Sequence, residues 1–138
     1  MEARGVYEPE TVAAAREAYE AVGPVAQRVV TETAKAMGFS AEEYDERVTA
    51  EVVETARDAL FASLLRTYSG SRADFEAWCE RHPSYTVDVI GSDDVECVVF
   101  HPVGPAETVL AASYQHEREA ATATVRRVAF GRYYRERF

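Results

Sequence analysis

The chain reads as an α+β domain. An N-terminal helical bundle of four to five helices precedes a three-stranded antiparallel β-meander and a C-terminal helix. Three observations predict this. Apolar residues recur at helical spacing from Val12 to Tyr68, the period changes to two after Pro83, and a helical pattern returns from about Glu117 to about Arg135. With 138 residues there is room for one hydrophobic core, so 1–138 is read as a single domain.

Pro9 stands where a first helical position is expected, and Val12, Ala15, Tyr19 and Val22 form the first stripe. Gly23-Pro24 ends that helix and begins the next, which stops at Gly38. Ser40 followed by Glu43 is a capping box. One long helix, or two with a break near Thr49, then continues to Tyr68 on the stripe Tyr44, Val48, Val52, Ala56, Leu60 and Leu64. Gly70-Ser71 breaks the pattern, and Ser71 with Asp74 caps a short helix carrying Phe75, Trp78 and Cys79. Tyr85–Val89 alternates as a strand, and Gly91-Ser92-Asp93-Asp94 is a turn. Val95–His101 is apolar on both faces and belongs at the centre of the sheet, with Thr108–Tyr114 as the third strand.

Twenty-four carboxylates face fifteen cations, a net charge of −9. Fourteen of those cations are arginine and one is Lys35; isoleucine occurs once and asparagine never. That pattern suits a GC-rich genome and a halophile, whose acidic surface stays hydrated in concentrated salt. The opening MEARGVYEPE holds three glutamates and no apolar run, so neither a secretory signal nor an anchor is expected. No apolar stretch approaches the ~20 residues that span a bilayer, and the expected location is the cytoplasm. Two cysteines make no disulfide framework.

Residues 34–65 (AKAMGFSAEEYDERVTAEVVETARDALFASLL), DFEAWC at 74–79 and TVRRVAFGRYYR at 124–135 look like an uncharacterised family of small acidic haloarchaeal proteins, a domain of unknown function. The resemblance covers nearly the whole chain. It implies a halophilic, cytoplasmic protein and carries over no activity, ligand or functional residue.

Cys79 and His82 share a helical face, and Cys97 and His101 share a strand face. With fourteen residues between the pairs, they supply the soft and borderline ligands of a tetrahedral zinc site, the one cofactor the sequence raises. Against zinc stand the unusual ligand order, the missing knuckle glycines and the tendency of cysteine to be core. Glu51, Glu54 and Asp58 fall on one helical face, with Glu76 and Glu80 downstream. This is the set a metal-dependent hydrolase would need, yet it is also what a solvated acidic helix displays. Ser113, Tyr114 and His116 meet at a strand end with no partner, and no phosphate loop or nucleophile elbow is present.

Residues 120–138 hold five arginines against one glutamate, whereas residues 1–119 hold ten cations and twenty-three anions. Ala121, Val125, Val128 and Ala129 make one apolar stripe of the last helix. The opposite side carries Arg126, Phe130, Tyr133 and Arg137, a mixture of arginine and aromatics that interfaces enrich. The reading this supports is a non-catalytic protein-interaction module, self-associating through those four residues. The zinc-binding protein is its alternative and the hydrolase the third. Nucleic acid is disfavoured because the overall field repels phosphate.

Overall fold

The computed structural model describes residues 1–92 and 94–138; Asp93, within the expected turn at 91–94, lies outside the described residues. Hydroxyl caps open most of the α-helices. Thr11 accepts from the Ala14 amide and opens α1 (Val12–Ala21), three residues after Pro9. Pro9 is therefore not a first helical residue; it is buried, with its carbonyl against Gly104. α2 (Gly23–Ala36) follows with Pro24 in its first turn, where the missing amide hydrogen has no intrahelical acceptor to lose. Gly38 ends it with φ +73, a left-handed position that glycine takes at little cost.

Ser40 and Glu43 form the expected capping box of α3 (Ala41–Arg47). The long stripe then divides at Thr49, whose hydroxyl accepts from the Val52 amide and starts α4 (Ala50–Ser63). Helix does not continue to Tyr68. Thr67–Ser71 is strand β2, with Thr67 and Ser69 buried on one face. Its last residue caps α5 (Arg72–Arg81) through a reciprocal box with Asp74.

The sheet corrects the meander. Glu2–Arg4 adds a short strand, β1, so that β1, β2, β3 (Thr86–Ile90), β4 (Cys97–Val103) and β5 (Thr108–Tyr114) form one mixed sheet in the order β1-β2-β4-β5-β3. β3 does not pair with β4; it lies parallel to β5 at the edge, from Thr86↔Thr108 to Ile90↔Ala112. The physical reason lies in β4. Its side chains from Val98 to Val103 are buried on both faces, so it needs a neighbour on each side, and β2 and β5 supply them. β3 alternates and is only half-buried, as an edge strand can be.

One face of the sheet carries Val99, Val103 and Leu110 against α1, α4 and α6 (Arg118–Ala129), which continues through a π-helical turn (Phe130–Tyr134) and a 3₁₀ turn. Phe61 of α4 is the hub there, with Tyr7, Tyr19, Phe130, Tyr134 and Phe138 all within 6 Å of its ring centroid. On the opposite face Val98, Phe100, Val109 and Ala111 pack under Phe75 and Trp78 of α5.

Candidate functional site

α4 and α6 run antiparallel over the sheet. Near the C-terminus of α4, Arg126 donates through Nε to the Leu65 carbonyl (2.8 Å) and through Nη2 to the Arg4 carbonyl (3.2 Å). One turn back along α4, Phe61 meets Phe130 and Tyr134. Between the two helices lies an open groove of about 520 Å³. Its floor is small and apolar, with Ala59 and Ala62 from α4, Ala123 from α6, and the edge of Phe130. Thr55, Asp58 and Ser63 line the α4 wall, and Arg126, Arg127 and Arg135 the other.

The arginines differ. Arg126 is fastened to two carbonyls, and burial, with Arg4 nearby, pulls its guanidinium below the usual arginine range. Arg127 and Arg135 are exposed, and neither has a carboxylate within ion-pair distance among the described residues; the pairs seen are Arg4–Glu2, Arg4–Glu119, Lys35–Glu32, Arg118–Glu2 and Arg132–Asp88. Arg135 lies 5.2 Å over the Phe130 ring. On the α4 wall, Asp58 accepts from the Tyr19 hydroxyl at 2.6 Å, and burial together with that bond pushes Tyr19 up to about 12.

The four residues expected to face a partner are split. Arg126 and Phe130 reach the groove, but Phe130 is 4 % exposed and serves the core. Tyr133 turns the other way and donates to the Asp88 carboxylate of β3, where Arg132 also pairs at 3.0 Å. Arg137 donates to the Tyr133 carbonyl. The second side of the last helix is covered within the chain, by Phe61 of α4 on Phe130 and Tyr134 and by Asp88 of β3 on Tyr133. Thr55, Ala59, Ala62 and Arg135 were not singled out. Their signal was a run of small residues at i, i+4 and i+7 on α4, facing the arginine-rich C-terminal segment.

The expected zinc set is not brought together. Cys79 and His82 lie on the α5 side of the sheet, where His82 stacks on Trp78 (4.0 Å) and donates from Nδ1 to the Trp78 carbonyl. Burial, then Glu76, pushes the Cys79 thiol up. His101 is fully buried on the opposite face with both ring nitrogens engaged. A carbonyl can only accept, so Nδ1–H donates to Arg66 O (2.6 Å), and the bare Nε2 accepts from the Tyr134 hydroxyl (2.7 Å). Likewise Glu51, Glu54 and Asp58 sit on α4 and Glu76 and Glu80 on α5, with the sheet between. Among the described residues no three His, Cys, Asp or Glu side chains are grouped to hold a metal ion. Ser113 accepts from the Ser92 amide, a turn contact.

No helix among the described residues is long and apolar enough to cross a membrane. No curated protein and no solved structure matches the chain. A family model matches residues 6–135, and the chain accordingly belongs to a family of unknown function, DUF5809.

Proposed function

We propose that this chain is a non-catalytic binding module and that the groove between α4 and α6 is its docking surface, taking an acidic amphipathic helix of a protein. One observation carries the reading. In a chain of net charge −9, two exposed arginines with no carboxylate partner among the described residues flank a floor of alanines. Alanines let another backbone approach closely, and an open groove between two helices accepts a third helix with its apolar face down. Carboxylates along the edge of that helix would meet Arg127 and Arg135. A nucleic acid fits less well, because the whole-molecule field repels phosphate.

The lining favours binding over turnover. Asp58 is held by Tyr19, and no nucleophile–base pair faces the groove among the described residues. A designed fluorescent peptide with leucines at i, i+3 and i+7 and flanking glutamates provides the test. It is expected to bind, and Arg127→Ala with Arg135→Ala to weaken it roughly tenfold without lowering Tm. Unchanged affinity in that variant would show that the groove is not where it binds.

A further inference from the structure

Beside the C-terminus of α5 lies a second cavity, of about 410 Å³, which shares no residue with the α4–α6 groove. Trp78 and His82 of α5 stack there at 4.0 Å, and the Tyr85 ring meets Trp78 edge-on at 5.1 Å. Gly104 lets the segment before α1 lie directly on the β4–β5 connection, since a Cβ at that position would stand 2.6 Å from Glu10 Cα. Glu8 and Glu10 thereby join the lining, and Glu107 completes it. Glu107 holds a left-handed backbone (φ +45), the only non-glycine among the described residues to do so. A carboxylate is kept where glycine would sit with less strain.

None of the three glutamates has a cation within ion-pair distance among the described residues. Burial, then the charges of Glu8, Glu10 and Glu107, push the Tyr85 hydroxyl up. The three are not grouped closely enough to hold a bare metal ion. A cation that answers all of them must be larger and carry several N–H donors in a fork, as a guanidinium does. Trp78 adds an independent requirement. It is only 8 % exposed, and its indole N–H has no acceptor among the described residues. Arg66 Nε is the buried atom left unpartnered there, so the indole N–H opens to solvent, and the cavity is the space that Trp78 lines. Pro9 and Pro102 extend the apolar wall beside the rings, which suits an aliphatic stem. We infer that this cavity binds an arginine side chain of a peptide, with its guanidinium among Glu8, Glu10 and Glu107 and a main-chain carbonyl on the Trp78 indole N–H. The acidic field of the whole chain draws such a segment in.

Trp78 is the single tryptophan, so its fluorescence reports on this cavity directly. The probe is acetyl-Gly-Arg-Gly-amide, titrated at the lowest potassium chloride concentration that keeps the chain folded. A saturable change in emission is expected. The same peptide with citrulline, of equal shape and no charge, should give none. Glu107→Gly should weaken binding about tenfold while leaving Tm no lower, because glycine takes the left-handed position without strain. Glu10→Gln should weaken it in the same direction. Agmatine, the same cation without a peptide carbonyl, is expected to bind several-fold more weakly. An arginine peptide that does not bind, citrulline binding equally well, or an affinity untouched by Glu107→Gly would overturn the site. Agmatine binding as tightly as the peptide would overturn the peptide as the source of the cation.

Discussion

The sheet with its covering helices and the arm formed by α2, α3 and the start of α4 are built on different physics. β4 buries every side chain from Val98 to Val103, and β5 every one from Thr108 to Ala112. Across residues 23–56 only Ala26 and Ala34 are buried, while Val25, Val29 and Val52 stay 51 %, 44 % and 42 % exposed. The arm also carries seven carboxylates against three cations. Burial of large apolar side chains stabilises the sheet region by kilocalories per residue. The arm relies on caps, the Thr31–Tyr44 hydroxyl contact and alanine-sized packing. Stability in this molecule is thus graded, highest where aromatic rings meet and lowest where charge collects.

The sharpest way to break the contrast is at its strongest point. Phe61→Ala removes the ring on which five aromatics converge and is expected to cost about 3–5 kcal/mol in urea unfolding. A loss below about 1 kcal/mol would mean that the cluster re-forms without its hub.

A somewhat smaller effect belongs to pH. Burial, with Arg126 adding to it and the Arg66 carbonyl opposing, lowers His101 from 6.5 to about 4. The unfolded chain therefore binds the proton that the fold refuses between those values. This contribution is complete above about pH 6.5 and is lost as pH falls toward 4. It is on the order of 3 kcal/mol, and His101→Gln should flatten that part of the pH–stability profile relative to wild type. Parallel profiles would place the acid sensitivity in the carboxylates instead.

The smallest single-site effects are expected in the arm, where Val29→Ser should change stability by no more than about 0.5 kcal/mol. Its sensitivity is to salt. We propose that the acidic, arginine-rich composition marks a protein working in concentrated salt. Raising potassium chloride from low to molar should increase Tm and slow amide exchange in α2 and α3 more than in β4. Equal protection gains everywhere, or a flat Tm, would remove both the gradient and the halophile argument.

Legibility followed the range of the interactions. Caps are local, so Ser40, Ser71 and the Gly23-Pro24 boundary were readable, and β4 announced itself by being apolar on both faces. β2 was not readable. TYSGS is short, and the positions it buries are the polar Thr67 and Ser69, so its alternation shows only once β4 lies beside it. The place of β3 was hidden because pairing order is decided across the chain and leaves no local pattern. The same limit applied to the site. Arg126 and Phe130 were visible as one side of the last helix, but whether that side was free depended on where α4 packs. The apolar second side that seemed to need a foreign partner is largely satisfied by Phe61, and what remains open is narrower and richer in arginine.

Asp88 draws one more consequence from the sheet. β3 is an outer strand whose free amides and carbonyls could template another strand, and Val87 leaves apolar surface there, 46 % exposed. Yet β3 turns a carboxylate toward the helix-covered face, where Arg132 and Tyr133 hold it. A foreign strand seated on this edge would bring its own side chain against that clamped charge and strip its solvation, a penalty that natural sheets use to stop growing. At the other edge, β1 is only three residues long and two of them, Glu2 and Arg4, are charged, so it too offers little to extend. The sheet is thereby kept from ribbon-like polymerisation at both of its ends.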